Sequence, residues 1–276
     1  MKPPVIIDQS QLFANSHQQV QDSAARLQAI TLGEMDQVKL LDRFDRKFVF
    51  PLFALPDILS EAARWYRILE IDGHRILAYQ STYYDTPDRE MYLAHHNGKL
   101  NRYKVRRREY LTTGQVFFEI KFKSNKSRTI KKRILTTNHN PGLNKEERKF
   151  LKKITSYNPR ELQPVLSNRF ERITLVHRHN HERATIDMNL SYTHNASDVN
   201  LLLPVIAEIK QEKASGLSDL EKILRKHRIL PCPFSKYCVG TVLTHPTIKH
   251  NRFKELLIRQ NKMHYDNAIA PLYQRS

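Results

Sequence analysis

The sequence predicts an α+β protein whose antiparallel strands curl into a closed β-barrel, with a polar, basic lumen and helices packed outside. Three observations lead there. Successive strand-forming segments carry ionisable side chains on one face and apolar ones on the other, following the two-residue period of a strand. The ionisable faces favour Arg with isolated Glu and Asp, whereas a solvated face usually mixes Thr, Ser, Gln and Lys. The helical segments between strands need an apolar surface to cover, and a sheet that is polar inside and apolar outside supplies one.

Taken in order, residues 1–40 read as a peripheral N-terminal helical segment, with "VQDSAARLQAITLGEMDQV" forming a helix or two packed loosely on the body. Residues 41–245 read as one domain and 246–276 as a C-terminal helix and tail. "DRFDRKFVF" is the first strand. "LPDILSEAARWYRIL" has apolar residues at helical spacing (Leu55, Ile58, Leu59, Ala62, Tyr66, Leu69) and follows Pro51. "ILAYQSTYYDT" is a strand, and "DREMYLAHHNGKL" a helical turn ending at Asn97–Gly98. "NRYKVRRREY", "QVFFEIKFK" and "RTIKKRIL" form a three-stranded meander. "LNKEERKFLKKI" is a charged, solvated helix. "VLSNRFERITLVH" and "RATIDMNLSYT" make a hairpin, and "LLLPVIAEIKQEK" a further strand. "SDLEKILRKHRI" is a helix with Ser218 and Glu221 as a capping box. "FSKYCVGTVL" and the solvated "NRFKELLIRQNKM" are helical.

The alternation sorts the strands. Arg43, Asp45 and Lys47 oppose Phe44, Phe48 and Phe50. Arg102, Lys104, Arg106 and Arg108 share a face. Glu119, Lys121 and Lys123 oppose Phe118, Ile120 and Phe122, and Lys131 and Arg133 oppose Ile130 and Ile134. Arg172 opposes Ile173 and Leu175, and Arg183 and Asp187 oppose Ala184, Ile186 and Met188. Glu208 and Lys210 oppose Ala207 and Ile209. A dry interior cannot hold so many cations against so few carboxylates, because each unpaired buried ion costs several kcal/mol. The lumen must hold water and a polyanion, and Arg forks suit phosphate oxygens. The competing reading is a sheet with one solvated face.

Composition sets limits. Lys and Arg number 46 against 28 Asp and Glu, a formal charge of +18, which asks for an anionic partner. The two cysteines, Cys232 and Cys238, form neither a disulfide framework nor a metal knuckle and fit a reducing compartment. No long apolar run or signal-peptide core is present, so a soluble cytoplasmic protein without a transmembrane segment is expected. No P-loop motif occurs among the few glycines.

Eight short stretches of the chain resemble those of a known family. "RFDRKF", "STYYDT", "HHNGKLNRYKVRRREY", "FEIKFK", "IKKR", "ERATIDMNL", "AEIK" and "FSKY" occur in that order over about residues 41–240. Together they resemble the catalytic domain of the vacuolar transporter chaperone (VTC) polyphosphate polymerases in its stand-alone bacterial form. The resemblance implies a triphosphate-tunnel fold, a divalent metal (Mn²⁺ or Mg²⁺), and transfer of the terminal phosphate of ATP to a growing polyphosphate chain. Related tunnel proteins hydrolyse triphosphate or make cyclic nucleotides, so a triphosphatase stays open beside the polymerase. By motif position the resemblance assigns phosphate binding to Lys47, Arg106, Arg108, Lys121, Lys131, Arg172, Arg183, Ser235 and Lys236, and metal ligation to Glu208. Ser235 and Lys236 rest on it alone. The alternation adds Arg43, Arg102, Lys104, Lys123, Arg133 and Lys210 as substrate-binding residues, and Glu119 as a second metal-capable carboxylate. Two departures from the eukaryotic pattern are Pro233, where a basic residue is usual, and Phe170, where tyrosine is typical. The implied partners are ATP, polyphosphate or another triphosphate, with a separately encoded membrane protein as a further one.

The expected reaction is an in-line attack of the acceptor's terminal phosphate oxygen on the γ-phosphorus, with no nucleophile–base pair in the protein. Hard carboxylates favour Mn²⁺ or Mg²⁺ over zinc. Asp45, Asp85 and Asp187 read as partners orienting neighbouring cations. His177, His179 and His181 read as an exposed hairpin tip rather than a metal site, and His95 and His96 likewise as exposed beside their turn. A nucleic-acid-binding module is the alternative of another class. It is disfavoured because the basic faces are expected to carry no interleaved stacking aromatics.

Overall fold

The computed structural model describes residues 9–37, 43–126, 128–212 and 216–259. Its elements in chain order are α1 (Gln9–Arg26), β1 (Ala29–Ile30), α2 (Leu32–Gln37), β2 (Arg43–Pro51), α3 (Leu55–Ala62), β3 (Tyr66–Leu69), β4 (Leu77–Asp85), α4 (Glu90–His96), β5 (Arg102–Tyr110), β6 (Gln115–Lys123), β7 (Thr129–Thr136), α5 (Lys145–Ile154), β8 (Gln163–His177), β9 (Glu182–His194), β10 (Ser197–Leu201), β11 (Pro204–Glu212), α6 (Asp219–Lys226) and α7 (Lys236–Thr244). The expected C-terminal helix and tail lie, from residue 260 on, outside the described residues.

One large sheet holds the molecule together. Its ladder runs β2-β11-β9-β8-β4-β5-β6-β7, with β10 beside β9 and β3 beside β8. These pairs are antiparallel, and among the described residues only the short β1–β3 pair is parallel. The β5–β6 hairpin turns over Leu111–Gly114, where Gly114 takes φ +68°, a conformation that costs a glycine nothing.

The ladder corrects the closed barrel: among the described residues no pairing joins β2 to β7. The outer edge of β2 is instead covered by the chain before α7, through a Phe48–Pro231 bridge and a 2.7 Å bond from the Cys232 N–H to the Lys47 carbonyl. The sheet is nonetheless strongly rolled. β2 and β5 stand five strands apart in the order, about 24 Å if the sheet were flat. Yet Lys47 of β2 and Lys104 of β5 reach adjacent residues, the Phe234 carbonyl and the Ser235 hydroxyl, both at 3.0 Å.

The apolar faces pack outward as the alternation requires. Phe48, Phe50, Ile173, Leu175, Ile186, Ala207 and Ile209 form one cluster with Leu55, Ile58 and Leu59 of α3 and Leu220 and Leu224 of α6. Phe118 and Ile120 pack under Leu151 of α5. Each such fully buried aliphatic side chain contributes about 1.5–3 kcal/mol.

Several expectations change. The N-terminal helix is not loosely attached, since Val20 and Ala24 of α1, and Leu27 just after it, are buried in the main cluster. The helical reading of 55–69 ends at Ala62, and Tyr66–Leu69 pairs with β8 as a strand. Not all helices lie outside. Tyr237 of α7 stacks on Tyr83, whose register partner is Arg106, so α7 sits on the cationic side and closes one end of the rolled sheet. Only half of the predicted capping box forms: Ser218 Oγ accepts the Glu221 N–H, while the Glu221 carboxylate turns to Arg46 and Arg225.

Candidate active site: a cationic lumen

The register of the strands puts the cations on one concave face. Lys47 faces Glu208 across β2–β11, and Lys210 faces Arg183 across β11–β9. Asp187 faces Arg172 across β9–β8. Arg108 faces Ser81 across β5–β4, Arg106 faces Glu119 across β5–β6, and Lys121 faces Lys131 across β6–β7. The parity that sends Phe48, Ile173, Ile186 and Phe118 outward therefore sends these inward.

Three carboxylates organise the lumen, each shared by two cations. Asp187 takes Arg172 in a two-point contact, Nε–Oδ1 at 2.5 Å and Nη2–Oδ2 at 2.8 Å, and also pairs with Lys236. Glu119 takes Arg106 through Nε and Nη2 at 2.7 and 2.6 Å on one oxygen, and Lys131 on the other. Glu208 takes Lys210 at 2.5 Å and Lys47 at 3.5 Å. Burial raises a carboxylate pKa, but these cations override it and hold Asp187, Glu119 and Glu208 below the usual range. The three are ionised at neutral pH and leave the cations in surplus.

The lysines show that surplus. Burial pushes the Lys104 ammonium down to about 7, with the nearby charges of Lys47, Lys121 and Arg102 adding to it. Burial likewise brings Lys236 down to about 8, against the pull of Asp187. Arg108, pressed between Arg106 and Arg172, is pushed down to about 10 by burial first and by those neighbours second. An anion entering this space relieves the repulsion.

The site residues do not all converge. Arg183 donates to the Met35 carbonyl of α2 at 3.1 Å. Arg102 donates back to the Lys99 carbonyl at 2.7 Å, and Arg133 lies over the Phe117 ring at 4.3 Å. Lys121, Lys123, Lys131 and Arg133 are exposed, so the β6–β7 wall opens to water. The side chain of Arg43 lies outside the described residues. Among the aspartates, Asp187 orients two cations, whereas Asp85 takes the Thr86, Met91 and Tyr92 N–H groups and the Tyr237 hydroxyl, so it caps α4 and orients no cation.

Aromatic rings do occupy the cationic face, contrary to expectation. Arg172 lies over Tyr79 and Phe170 at 5.2 and 5.3 Å, Arg108 over the same rings at 5.7 and 5.3 Å, and Lys236 Nζ over Phe170 at 4.5 Å. Both rings are buried and stacked on each other, and the cations crowd their remaining surface. Ser81, which accepts Arg108 Nε at 3.1 Å, is the other lumen residue that sequence reasoning missed. The alternation of Tyr79, Ser81 and Tyr83 in "YQSTY" carried the signal. The histidines also differ: His177 and His96 are buried, and His95 sits beside Lys104, Arg102 and Lys47, where burial and those cations push it down to about 2.

The donor set fits a hard divalent ion in one place. Glu208 and Asp45 lie on the inner faces of neighbouring strands, and both carboxylates act on Lys121 and Lys210. Such an ion is commonly held by one or two carboxylates with phosphate oxygens and water completing its shell. Glu119 fits less well, because Arg106 and Lys131 hold its two oxygens closely, whereas one Glu208 oxygen has its lysine, Lys47, only at 3.5 Å. Among the described residues no group of three acidic, His or Cys side chains gathers as a closed site. Among them too, no helix is long and apolar enough to cross a membrane.

Comparison with solved structures finds distant likenesses. A Bacillus halodurans protein described as a candidate adenylate cyclase is 13% identical, with 71% of this chain and 94% of that one covered and a TM-score of 0.45. A Hippeastrum protein, a candidate adenylyl cyclase described as having a dominant triphosphatase activity, is 12% identical over 72% of this chain and 95% of its own, TM-score 0.43. A Pyrococcus horikoshii protein is 14% identical over 72% and 95%, TM-score 0.40. No curated protein matches the chain. The model of the VTC domain family, by contrast, matches residues 42–245, most of the chain and every strand of the lumen. The chain belongs to the VTC domain family.

Proposed function

We propose that the chain is a polyphosphate polymerase that transfers the terminal phosphate of ATP to a growing polyphosphate chain inside the rolled sheet. The observation that carries this reading is the convergence of Lys47, Lys104, Lys236 and Arg172 from different strands and from the start of α7 on one concave face with too few carboxylates to neutralise it. Phosphoryl transfer needs charge neutralisation and in-line placement of linked phosphates, and such a surface supplies both. Arg106, Arg108 and Arg172 are the phosphate-holding forks in this reading, held at fixed angles by Glu119, Ser81 and Asp187. Lys47, Lys121, Lys131, Lys210 and Lys236 add point charges along the path, while Arg183 and the exposed Lys123 and Arg133 serve its rim.

Mn²⁺ or Mg²⁺ would be held at Glu208, with Asp45 beside it, and would neutralise phosphate charge when bound. The chain's own residues bind, align and neutralise the substrate. The buried Tyr79 and Phe170 rings disfavour stacked bases, so nucleic acid is not the polyanion of this reading.

The test incubates the purified protein with ATP and Mn²⁺ or Mg²⁺ and resolves the products by gel. Chains longer than the added primer support the polymerase. Release of phosphate from short triphosphate without elongation replaces it with a triphosphatase, and RNA binding without nucleotide turnover overturns both.

A further inference from the structure

Lys104 and Ser235 stand apart from the rest of the lumen. Lys104 Nζ lies 3.0 Å from Ser235 Oγ. Of the neighbouring lysines, Lys47 and Lys210 share Glu208, Lys131 has Glu119 and Lys236 has Asp187, while Lys121 feels Glu208 and Asp45 at longer range. Lys104 forms no ion pair with a carboxylate among the described residues; the ionisable side chains around it are the Cys238 thiol, which favours the ammonium, the cations Lys47, Lys121 and Arg102, which oppose it, and His95. Its amine, brought down to about 7, is partly neutral at physiological pH and can accept a proton.

Ser235 is placed to use that. It caps α7, and its oxygen accepts the Cys238 N–H at 3.3 Å, within the positive field of a helix start. Its neighbours bring further charge: the Phe234 carbonyl holds Lys47 at 3.0 Å, and Lys236 pairs with Asp187 beside Arg172. A hydroxyl, an amine within hydrogen-bond reach and cations for the phosphate oxygens are the parts from which an activated nucleophile is built, and no motif of the chain announces them.

We propose that Ser235 is a phosphoryl-accepting nucleophile with Lys104 as its base, so that the lumen passes phosphate through a phosphoserine. This rests on the phosphotransferase reading above. In the first step Lys104 Nζ takes the Ser235 hydroxyl proton and Oγ bonds to the γ-phosphorus of ATP. The bond from that phosphorus to the β–γ bridging oxygen breaks, and ADP leaves. In the second step a terminal phosphate oxygen of the acceptor chain bonds to the phosphorus, the bond to Oγ breaks, and Lys104 returns the proton to Ser235. One ATP and one chain become ADP and a chain one phosphate longer.

Stereochemistry tests this directly, because each in-line displacement inverts phosphorus. ATP carrying an isotopically chiral γ-thiophosphate is turned over with a tripolyphosphate acceptor and the configuration of the transferred group is read. Retention is expected, together with isotope exchange between ADP and ATP when acceptor is left out. Ser235→Ala abolishes the exchange. Lys104→Arg keeps the charge and the binding of ATP but lowers exchange by about 100-fold, since a guanidinium is no base at neutral pH. Melting temperatures of both variants are compared with the parent protein to show that they fold. Turnover with inversion, or exchange that survives Ser235→Ala, overturns the phosphoserine and leaves the phosphotransferase standing. Absence of any turnover of ATP by the folded parent protein overturns both.

Discussion

Arg172 and Asp187 meet across β8 and β9 with two guanidinium nitrogens on two carboxylate oxygens, and Lys236 of α7 takes the same carboxylate. Asp187 is thus the joint between the sheet and the helix that closes one end of the lumen. Asp187→Asn leaves two buried cations sharing a neutral amide. Removing one partner of a buried pair costs about 3–5 kcal/mol, so a clear drop in melting temperature is expected. Added tripolyphosphate should restore more stability to the variant than to the parent protein, read as the two melting shifts; equal shifts would argue against Asp187 as the internal counter-charge.

Arg106→Ala and Glu208→Gln are expected to remove turnover while the fold persists. Loss of one group that stabilises transferring charge lowers kcat by about 10²–10³. Steady-state rates beside far-UV circular dichroism check this, and wild-type rates in both variants would move the site elsewhere.

The depressed lysines set two opposite pH dependences. Lys104, near 7, and Lys236, near 8, lie below the ordinary lysine value, and burial is the first cause in each. Between the folded and unfolded values the unfolded chain binds more protons. Stability of the free protein therefore rises as pH climbs from about 7 toward the unfolded value, and their destabilising effect is fully present below about 7. A bound polyanion favours the charged lysines, so its affinity falls over the same climb. Melting curves and tripolyphosphate titrations at pH 6.5, 7.5 and 8.5, roughly bracketing those values, should diverge in this way. Parallel trends would mean that these lysines do not face the ligand.

Packing on the back of α7 is expected to reach the site. A Cβ at Gly240 would overlap the Tyr192 ring and come within 2.7 Å of Leu166 Cδ2. Gly240→Ala must push α7 off β8 and β9, moving Ser235 from Lys104 and Lys236 from Asp187. Overpacking of this kind costs about 1–3 kcal/mol. Turnover at saturating ATP should fall more than melting temperature alone would explain, and an unchanged rate in the folded variant would separate α7 from the chemistry.

Much of this architecture could be read from the chain. The β5–β7 meander, the β8–β9 hairpin and the inward cations follow from period-two contrast, which is strong where Arg or Lys alternates with Phe, Ile or Val. Where the contrast fades, reading failed. Tyr66–Leu69 continues the apolar spacing of α3, so its strand was hidden in a helical pattern. "SDVNL", now β10, is too polar to stand out. In β4 both faces carry tyrosine or threonine, which concealed Tyr79 and Ser81. His95, His96 and His177 looked exposed because their burial comes from distant segments: Phe253 packs on His95 and His96, and Tyr66 and Asp219 meet His177. The open edge between β2 and β7 depends on where Pro231 and Cys232 lie, which no local pattern fixes.

The segment Phe234–Lys236 holds Lys47 by a carbonyl and Lys104 by a hydroxyl, and reaches Asp187 through its own lysine. An incoming anion therefore competes with tethers the protein makes within itself. A lone phosphate can replace one of them and gains little over what it disrupts. A linked row of phosphates replaces all of them at once and loses its translational freedom only once. On the proposed reading, a polymer is therefore expected to be preferred over its monomer by displacement, before any contact with its ends is made.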